Sequence, residues 1–205
     1  MDFQKLLNQL VFQSNDPLLF NSAFFFYFFL LFLVVYRLVY KLGLTRILVM
    51  TAFSLYFFYK ACGWYVGLIV LAAVVDFHLS NWIYKARKPL KRKGMLIASL
   101  VLNLGLLGYF KYTNFFIEII NDWNKGHIPL LKLALPVGIS FYTFENISYT
   151  IDVYRRQFKP VKSFWDYLFF LSFFPKLMMG PIVRAADFIP QIRRQVQIQA
   201  RDVSE

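Results

Sequence analysis

Apolar segments long enough to form membrane helices alternate with short basic segments along this chain. The first, residues 17–36, contains no charged side chain, and a helix needs about 20 apolar residues to cross the hydrocarbon core of a bilayer. Three further apolar segments follow, at residues 47–59, 65–84 and 94–110. Residues 47–59 are long enough only if the helix includes their flanks. The alternation predicts a protein that crosses the membrane several times.

A fifth apolar segment, residues 135–154, carries two acidic side chains. A carboxylate at membrane depth costs about 2.5–3.5 kcal/mol, so such residues usually face a bundle interior, a cavity or a substrate path. On a helix, four polar residues of this segment would share one face: Glu145, Ser148, Tyr149 and Asp152. The opposite face would hold Phe144, Ile147 and Ile151. The segment therefore predicts an amphipathic helix inside the membrane.

Two interpretations of this polar face remain open. In the first, the helix is buried, Asp152 pairs with Arg155 or Arg156 one turn on, and Glu145 bonds a neighbouring helix. In the second, the helix lines a tunnel through the membrane. The first interpretation makes Asp152 and the two arginines a structural pair at the end of the helix, and the second places Glu145 beside a substrate path.

The sequences before and after residues 135–154 do not form simple spanning segments. Residues 111–132 mix charged, amide and aromatic side chains and predict an outer loop with an interfacial amphipathic piece. Residues 164–174 are apolar but too short to span the membrane, and Pro175 and a Gly-Pro pair at 180–181 follow them. Interrupted segments are tolerated at membrane depth where the freed backbone groups face protein or water. A re-entrant or broken helix is therefore predicted for residues 164–174.

These segments predict an all-α fold, a polytopic membrane helical bundle of about five spanning helices plus the re-entrant or broken helix. Residues 1–205 would form a single membrane domain, and residues 184–205 a cytoplasmic tail or linker. The composition agrees, because 59% of the 205 residues are hydrophobic, 20% aromatic and only 17% charged. Such a chain has more apolar surface than a globule of this length can bury, so a lipid bilayer is the expected partner.

The basic residues predict the orientation. The net charge is +12, and the basic side chains fall in short runs at residues 37–46, 85–93 and 155–162. Since cytoplasmic loops carry an excess of Lys and Arg, we expect a multi-pass protein of the cytoplasmic (inner) membrane with its N-terminus outside. The runs do not gather on one soluble face, which argues against a nucleic-acid partner. With Cys62 as its single cysteine, the chain cannot form an intrachain disulfide or a multi-cysteine metal site, and no metal is expected.

Three separated stretches carry a resemblance to a known family. They read LLGYFKYTNFF (106–116), LPVGISFYTFENISYTIDVYRR (135–156) and FLSFFPKLMMGPIVRAADFIPQ (170–191). A fourth stretch, SLYFFYKACGW (54–64), extends the likeness over most of the chain. In this order they resemble the membrane-bound O-acyltransferases of the alginate O-acetyltransferase type. Several such stretches in the right order are more specific than one short motif.

The resemblance implies that an acyl group, usually acetyl, moves from a cytoplasmic thioester donor to a hydroxyl of an extracytoplasmic polysaccharide. The donor would be acetyl-CoA or an acyl carrier, and no bound cofactor is implied. The reaction would take place in a tunnel through the membrane. The tunnel-lining candidates of this chain are Glu145, Ser148, Tyr149 and Ser140. Arg184 is a candidate donor contact, with a lipid phosphate or a helix C-terminus as the alternative partner.

One feature of the family is missing from this sequence. Members carry an intramembrane histidine in a His-Gly-x-x-Trp-like motif, the expected general base, whereas His78 and His127 lack that context. We therefore assign no catalytic residue and expect an N-terminal half of the enzyme that is inactive alone, with a second polypeptide as one source of the other half. The alternative is a non-catalytic polytopic membrane protein, such as a transporter or channel fragment or an assembly scaffold, because carboxylates at depth and a broken helix also suit transport.

Overall fold

The computed structural model describes residues 11–12, 22–124, 127–131, 133, 135–179 and 182–194. Within these ranges the chain is helical and has no strand, which confirms the predicted all-α class. The helices are α1 (Ala23–Val39), α2 (Gly43–Cys62), α3 (Val66–Lys85), α4 (Pro89–Asn124), α5 (Ile139–Tyr154), α6 (Phe164–Ser172), α7 (Phe174–Met179) and α8 (Ala185–Ile192). A short 3-10 turn, Gly63–Tyr65, joins α2 to α3.

Among the described residues, two stretches of helix are long and apolar enough to cross a membrane. They are Gly43–Lys85, which contains α2, the 3-10 turn and α3, and Pro89–Trp123 in α4. In the most apolar 18 residues of each stretch, only 28% and 17% of the residues are buried inside the protein. The core helix of a soluble protein would be mostly buried, whereas apolar side chains that face outward suit contact with lipid. The count of five spanning helices stays a prediction.

Helix α4 is longer than the sequence pattern predicted. It continues through Asn124 for 36 residues, so the prediction of an outer loop is wrong for its first part, residues 111–124. At about 1.5 Å per residue the helix is about 54 Å long, well beyond the roughly 30 Å of a hydrocarbon core. Charged side chains can therefore lie on the same helix once it has left the membrane.

The residues after α4 run back along it. The side chain of Asn121 exchanges two hydrogen bonds of 2.9 Å with the backbone of Ile128, and Asn114 does the same with Leu131 at 2.8 and 2.9 Å. Because Asn114 precedes Asn121 while Leu131 follows Ile128, the returning segment is antiparallel to the helix. Two asparagines thus satisfy backbone groups that an irregular segment would otherwise leave unpaired.

The short helix α6 lies at the centre of the bundle. It packs against α2, α3, α5 and α8, and its residues from Asp166 to Ser172 are all buried. Phe173 interrupts the helix, and α7 begins at Phe174 with Pro175 in its first turn, where a missing backbone N–H is tolerated. The predicted broken helix is confirmed. Phe174 then packs into an aromatic cluster with Phe28, Phe32 and Phe57.

Helix α5 begins later than the apolar segment that contains it. Gly138 precedes it in the left-handed conformation, with φ of 74°, which glycine adopts without steric cost. The helical part has 16 residues, or about 24 Å. Of the face predicted to be apolar, Phe144 is 44% exposed and points away from the bundle. The buried polar side chains of α5 are Thr143, Glu145, Asn146 and Thr150, together with the phenols of Tyr142 and Tyr149.

The described part of the predicted tail packs against the bundle. Residues 195–205 lie outside the described ranges, and the residues before them form α8. Arg193 donates two hydrogen bonds, of 2.8 and 3.1 Å, to the carboxylate of Asp166 at the start of α6. Hydrogen bonding to Asp166 raises the pKa of the Arg193 guanidinium above its usual value. Helix α8 therefore docks on α6.

Candidate functional site

Asp76 of α3 anchors a network of buried polar side chains. It is 1% exposed, and its carboxylate accepts hydrogen bonds from the Ser99 hydroxyl and, at 2.6 Å, from the Asn103 side-chain amide. Both donors belong to α4 and are themselves buried. A buried carboxylate is costly unless donors surround it, so this pair of bonds ties α3 to α4 at a fixed register.

The network continues from α4 through α5 to α6. The Asn146 side-chain amide donates to Oδ1 of Asn103 at 3.3 Å, and the Tyr167 hydroxyl donates to Oδ1 of Asn146 at 2.6 Å. Asn146 and Tyr167 are fully buried. Four helices are thus connected by one chain of hydrogen bonds, from the carboxylate of Asp76 to the phenol of Tyr167. Such satisfied networks specify a unique arrangement of helices.

Tyr149, a predicted tunnel-lining residue, lies beside this network. Its hydroxyl shares a hydrogen bond of 3.3 Å with the Ser80 hydroxyl and accepts a second, of 3.0 Å, from the backbone N–H of Val161. Its ring centre is 4.6 Å from that of Tyr167, and the side chain is fully buried. The Tyr149 hydroxyl therefore has both of its partners within the protein, and its tunnel-lining role stays a prediction.

Glu145, the other central candidate, forms a buried ion pair. Its carboxylate accepts a hydrogen bond of 2.8 Å from the Lys176 ammonium of α7, and the two side chains are 3% and 6% exposed. The ammonium also lies 3.7 Å from the ring centre of Phe170 and 4.9 Å from that of Phe188, within reach of cation–π attraction. The interpretation in which Glu145 bonds a neighbouring helix thus describes its contact correctly.

The predicted pairing of Asp152 with the arginines after it is not formed. In the described part of the chain the ion pairs are Glu145–Lys176 and Asp166–Arg193. Arg156 instead has φ of 60°, and its guanidinium lies 5.6 Å from the ring centre of Tyr84 on α3. The helix ends at Tyr154, so the i to i+4 geometry on which the pairing depended is lost at Arg155. Asp152 is half-buried and both arginines are exposed.

The other predicted site residues form no hydrogen bond with the described residues of the network. Ser140 and Ser148 are half-buried, and Arg184 is exposed immediately before α8. His78 is exposed beside Trp82, and His127 is exposed after α4. Among the residues that the structure describes, no three His, Cys, Asp or Glu side chains lie close enough to hold a metal ion.

Several residues of the network were missed by sequence reasoning. Asp76, Asn103, Asn146, Tyr167 and Lys176 were not singled out as site residues. A signal was present, because three helices carry polar pairs four residues apart on an apolar background. The pairs are Asp76 with Ser80, Ser99 with Asn103, and Asn146 with Thr150. A polar pair at helical spacing in an apolar helix predicts a polar partner on another helix.

Curated relatives decide the family resemblance. The chain is 32% identical to a peptidoglycan O-acetyltransferase of Helicobacter pylori over 63% of this chain and 29% of the relative. It is 42% identical to an alginate O-acetylase of Pseudomonas aeruginosa over 49% of this chain and 20% of the relative. A Pseudomonas putida alginate O-acetylase is 38% identical over 53% of this chain. The chain is a homologue of O-acetyltransferases.

This homology confirms the predicted resemblance to membrane-bound O-acyltransferases. The relatives and the apolar helices together fit a multi-pass membrane protein. The chain spans between a fifth and about three tenths of the length of the relatives described above. No family model matches the chain, and no solved structure matches it significantly.

In this O-acetyltransferase homologue, four buried hydroxyls have no hydrogen-bond partner within the described ranges. They are those of Ser54 on α2, Tyr142 and Thr143 on α5, and Ser172 on α6. Each side chain is at most 1% exposed. A buried hydroxyl without a partner costs about 1–3 kcal/mol, so such groups in a native protein call for an explanation. Each of these hydroxyls therefore keeps an unused donor and an unused acceptor among α2, α5 and α6.

Proposed function

We propose that this chain forms part of a membrane-bound O-acyltransferase. The enzyme would transfer an acyl group, acetyl in the first instance, from a cytoplasmic thioester donor such as acetyl-CoA or an acyl carrier. The acceptor would be a hydroxyl of an extracytoplasmic polysaccharide. The observation that carries this proposal is the homology to relatives named for O-acetylation of peptidoglycan and alginate.

The buried polar groups support this chemistry. In acyl transfer to a hydroxyl, the thioester C–S bond breaks, a C–O ester bond forms, and the proton of the hydroxyl passes to the leaving thiolate. Hydrogen-bond donors stabilise the charge that develops on the carbonyl oxygen, and the unpaired hydroxyls of Thr143 and Ser172 are donors of this kind. Ser140, Glu145, Ser148 and Tyr149 are proposed to lie along the same path.

The general base is proposed to come from residues outside this sequence. A base must lie within about 2.6–3.2 Å of the hydroxyl oxygen whose proton it removes, and the His-Gly-x-x-Trp-like motif is absent from the 205 residues. We expect the purified chain alone to transfer no acyl group. Robust turnover that disappears in the His78→Ala variant would instead assign the base to His78.

The orientation is proposed from the basic loops. Arg92 donates a hydrogen bond to the carbonyl of Tyr154 and lies over its ring, and Arg156 lies over Tyr84. These contacts bring the basic runs 85–93 and 155–162 to the same end of the bundle. The shared end supports a cytoplasmic position for both runs, and Arg184 is proposed as a donor contact on that side. The N-terminus would then lie outside the inner membrane.

The proposal is tested in the cells that make the protein. Removing the gene should lower the base-labile acetate of the envelope polysaccharides, and restoring the gene should return it. The Thr143→Val variant removes an unpaired hydroxyl at nearly constant volume, so we expect normal protein levels with reduced acetate. Thr113→Val is the matched control, because the Thr113 hydroxyl bonds the Tyr109 carbonyl on the exposed part of α4. Unchanged acetate in cells without the gene would refute the proposed function.

A further inference from the structure

A cavity of about 180 Å³ lies between α1, the start of α2, the broken helix and α8. Aromatic side chains form much of its wall, and two arginines supply its charge. The principal lining residues are Tyr36, Arg46, Phe169, Phe173, Phe188 and Arg194. None of the residues described as lining it is acidic. The cavity therefore combines apolar surface with an unbalanced positive charge.

Arg46 is the unusual member of this set because it is only 4% exposed. Its guanidinium donates to the carbonyl of Ile192 at 2.6 Å and to that of Tyr40 at 3.4 Å. No carboxylate of the described residues forms an ion pair with it. A buried charge is costly unless it is paired, and a guanidinium has five N–H donors. The two carbonyls accept only two hydrogen bonds and carry no full negative charge. The positive charge of Arg46 and its remaining N–H donors are therefore available to an anion.

The position of Arg46 indicates which anion is available. It is the fourth residue of α2, which begins at Gly43, so it lies about 4.5 Å along the helix from its first residue. Arg37 and Lys41 flank the same end of α1 and α2. In the orientation proposed above, this end of α2 leaves the hydrocarbon core and meets the phosphates of the lipids. Arginine binds phosphate well because its planar fork can donate two parallel hydrogen bonds.

We propose that this cavity binds the phosphate headgroup of an anionic phospholipid. Arg46 and Arg194 hold the phosphate, and the glycerol ester end of the lipid packs on Phe169, Phe173 and Phe188. The bound headgroup neutralises the buried guanidinium and joins α8 to the start of α2. This lipid site is separate from the proposed acyl transfer, because neither arginine takes part in that reaction.

Native mass spectrometry of the full chain in detergent tests the site. We expect one phosphatidylglycerol to be retained and phosphatidylcholine to be lost under the same conditions. The Arg194→Gln variant should lower phosphatidylglycerol occupancy about tenfold, the effect of losing one charge-assisted hydrogen bond. Arg194 is exposed, so in detergent without added lipid its substitution should leave the thermal midpoint unchanged. Arg37→Gln is the matched control, since Arg37 is exposed at the same end and does not line the cavity.

Four outcomes would overturn the proposal. Equal retention of the two lipids, or an equal loss in Arg37→Gln, would mean general attraction to the basic end. Displacement of phosphatidylglycerol by inorganic phosphate at equal concentration would mean that the cavity recognises free phosphate. Displacement by acetyl-CoA, lost in Arg194→Gln, would assign the cavity to the thioester donor. That last result would leave the proposed acyl transfer intact, so the two proposals fail separately.

Discussion

The buried pair of Glu145 and Lys176 provides the sharpest test of the packing. Glu145→Gln keeps the shape of the side chain but removes its charge, and the Lys176 ammonium then stays buried without an anion. Removing one partner of a buried ion pair costs about 3–5 kcal/mol. The ammonium still lies 3.7 Å from the Phe170 ring centre, and cation–π attraction retains about 0.5–2 kcal/mol. We therefore expect Glu145→Gln to lower the free energy of unfolding by about 3 kcal/mol, the lower end of the 3–5 kcal/mol range.

The double variant separates the pair from its surroundings. Replacing both side chains, as Glu145→Gln with Lys176→Met, removes both buried charges and leaves a neutral buried amide, whose unmet hydrogen bonds cost about 1–3 kcal/mol. We expect each single variant to lower the thermal midpoint in detergent and the double variant to recover part of the loss. The coupling energy from the double-mutant cycle should exceed about 1 kcal/mol. Glu118→Gln on the exposed part of α4 controls for the loss of a carboxylate.

Additive losses would refute this reasoning. If the double variant is destabilised by the sum of the single losses, the two groups do not stabilise each other. If Glu145→Gln instead keeps the wild-type midpoint while the acetate of the envelope polysaccharides falls, Glu145 acts on the proposed substrate path and its pair with Lys176 adds no stability. The midpoint therefore distinguishes the two interpretations that the sequence left open.

Three further predictions follow from the same contacts. Tyr167→Phe leaves Oδ1 of Asn146 without its 2.6 Å donor, so the midpoint should show a loss of about 1–3 kcal/mol; an unchanged midpoint would contradict the network. Asp152→Asn removes no ion pair, so stability should change by less than about 0.5 kcal/mol, and a larger loss would restore the predicted pair. A cysteine substituted for Lys88 should not react with an impermeant reagent added outside intact cells, because its loop is proposed to be cytoplasmic. The native Cys62 is buried and gives little background. Rapid labelling would reverse the orientation.

The class of the protein could be predicted from the sequence because it depends on local properties. Apolar segments, basic runs and the break at Phe173, near Pro175, are visible without knowledge of any contact, since a bilayer acts on each segment separately. The family resemblance was equally local, carried by short stretches in a fixed order. The end of α4 was missed because a helix does not stop where the membrane does, and polar residues continue it into water.

The partners of the polar side chains were decided by the tertiary structure alone. Helical periodicity relates residues three or four apart, which is why Glu145 could be placed on a polar face and Asp152 was expected to pair one turn on. Lys176 is 31 residues from Glu145, Asn103 is 27 from Asp76, and Ile192 is 146 from Arg46. Such pairs form only when the rotation and depth of two helices agree, and packing sets both. The sequence by itself determined that charges would lie on apolar helices, and the packing of α5 on α6 and α7 determined which charges meet.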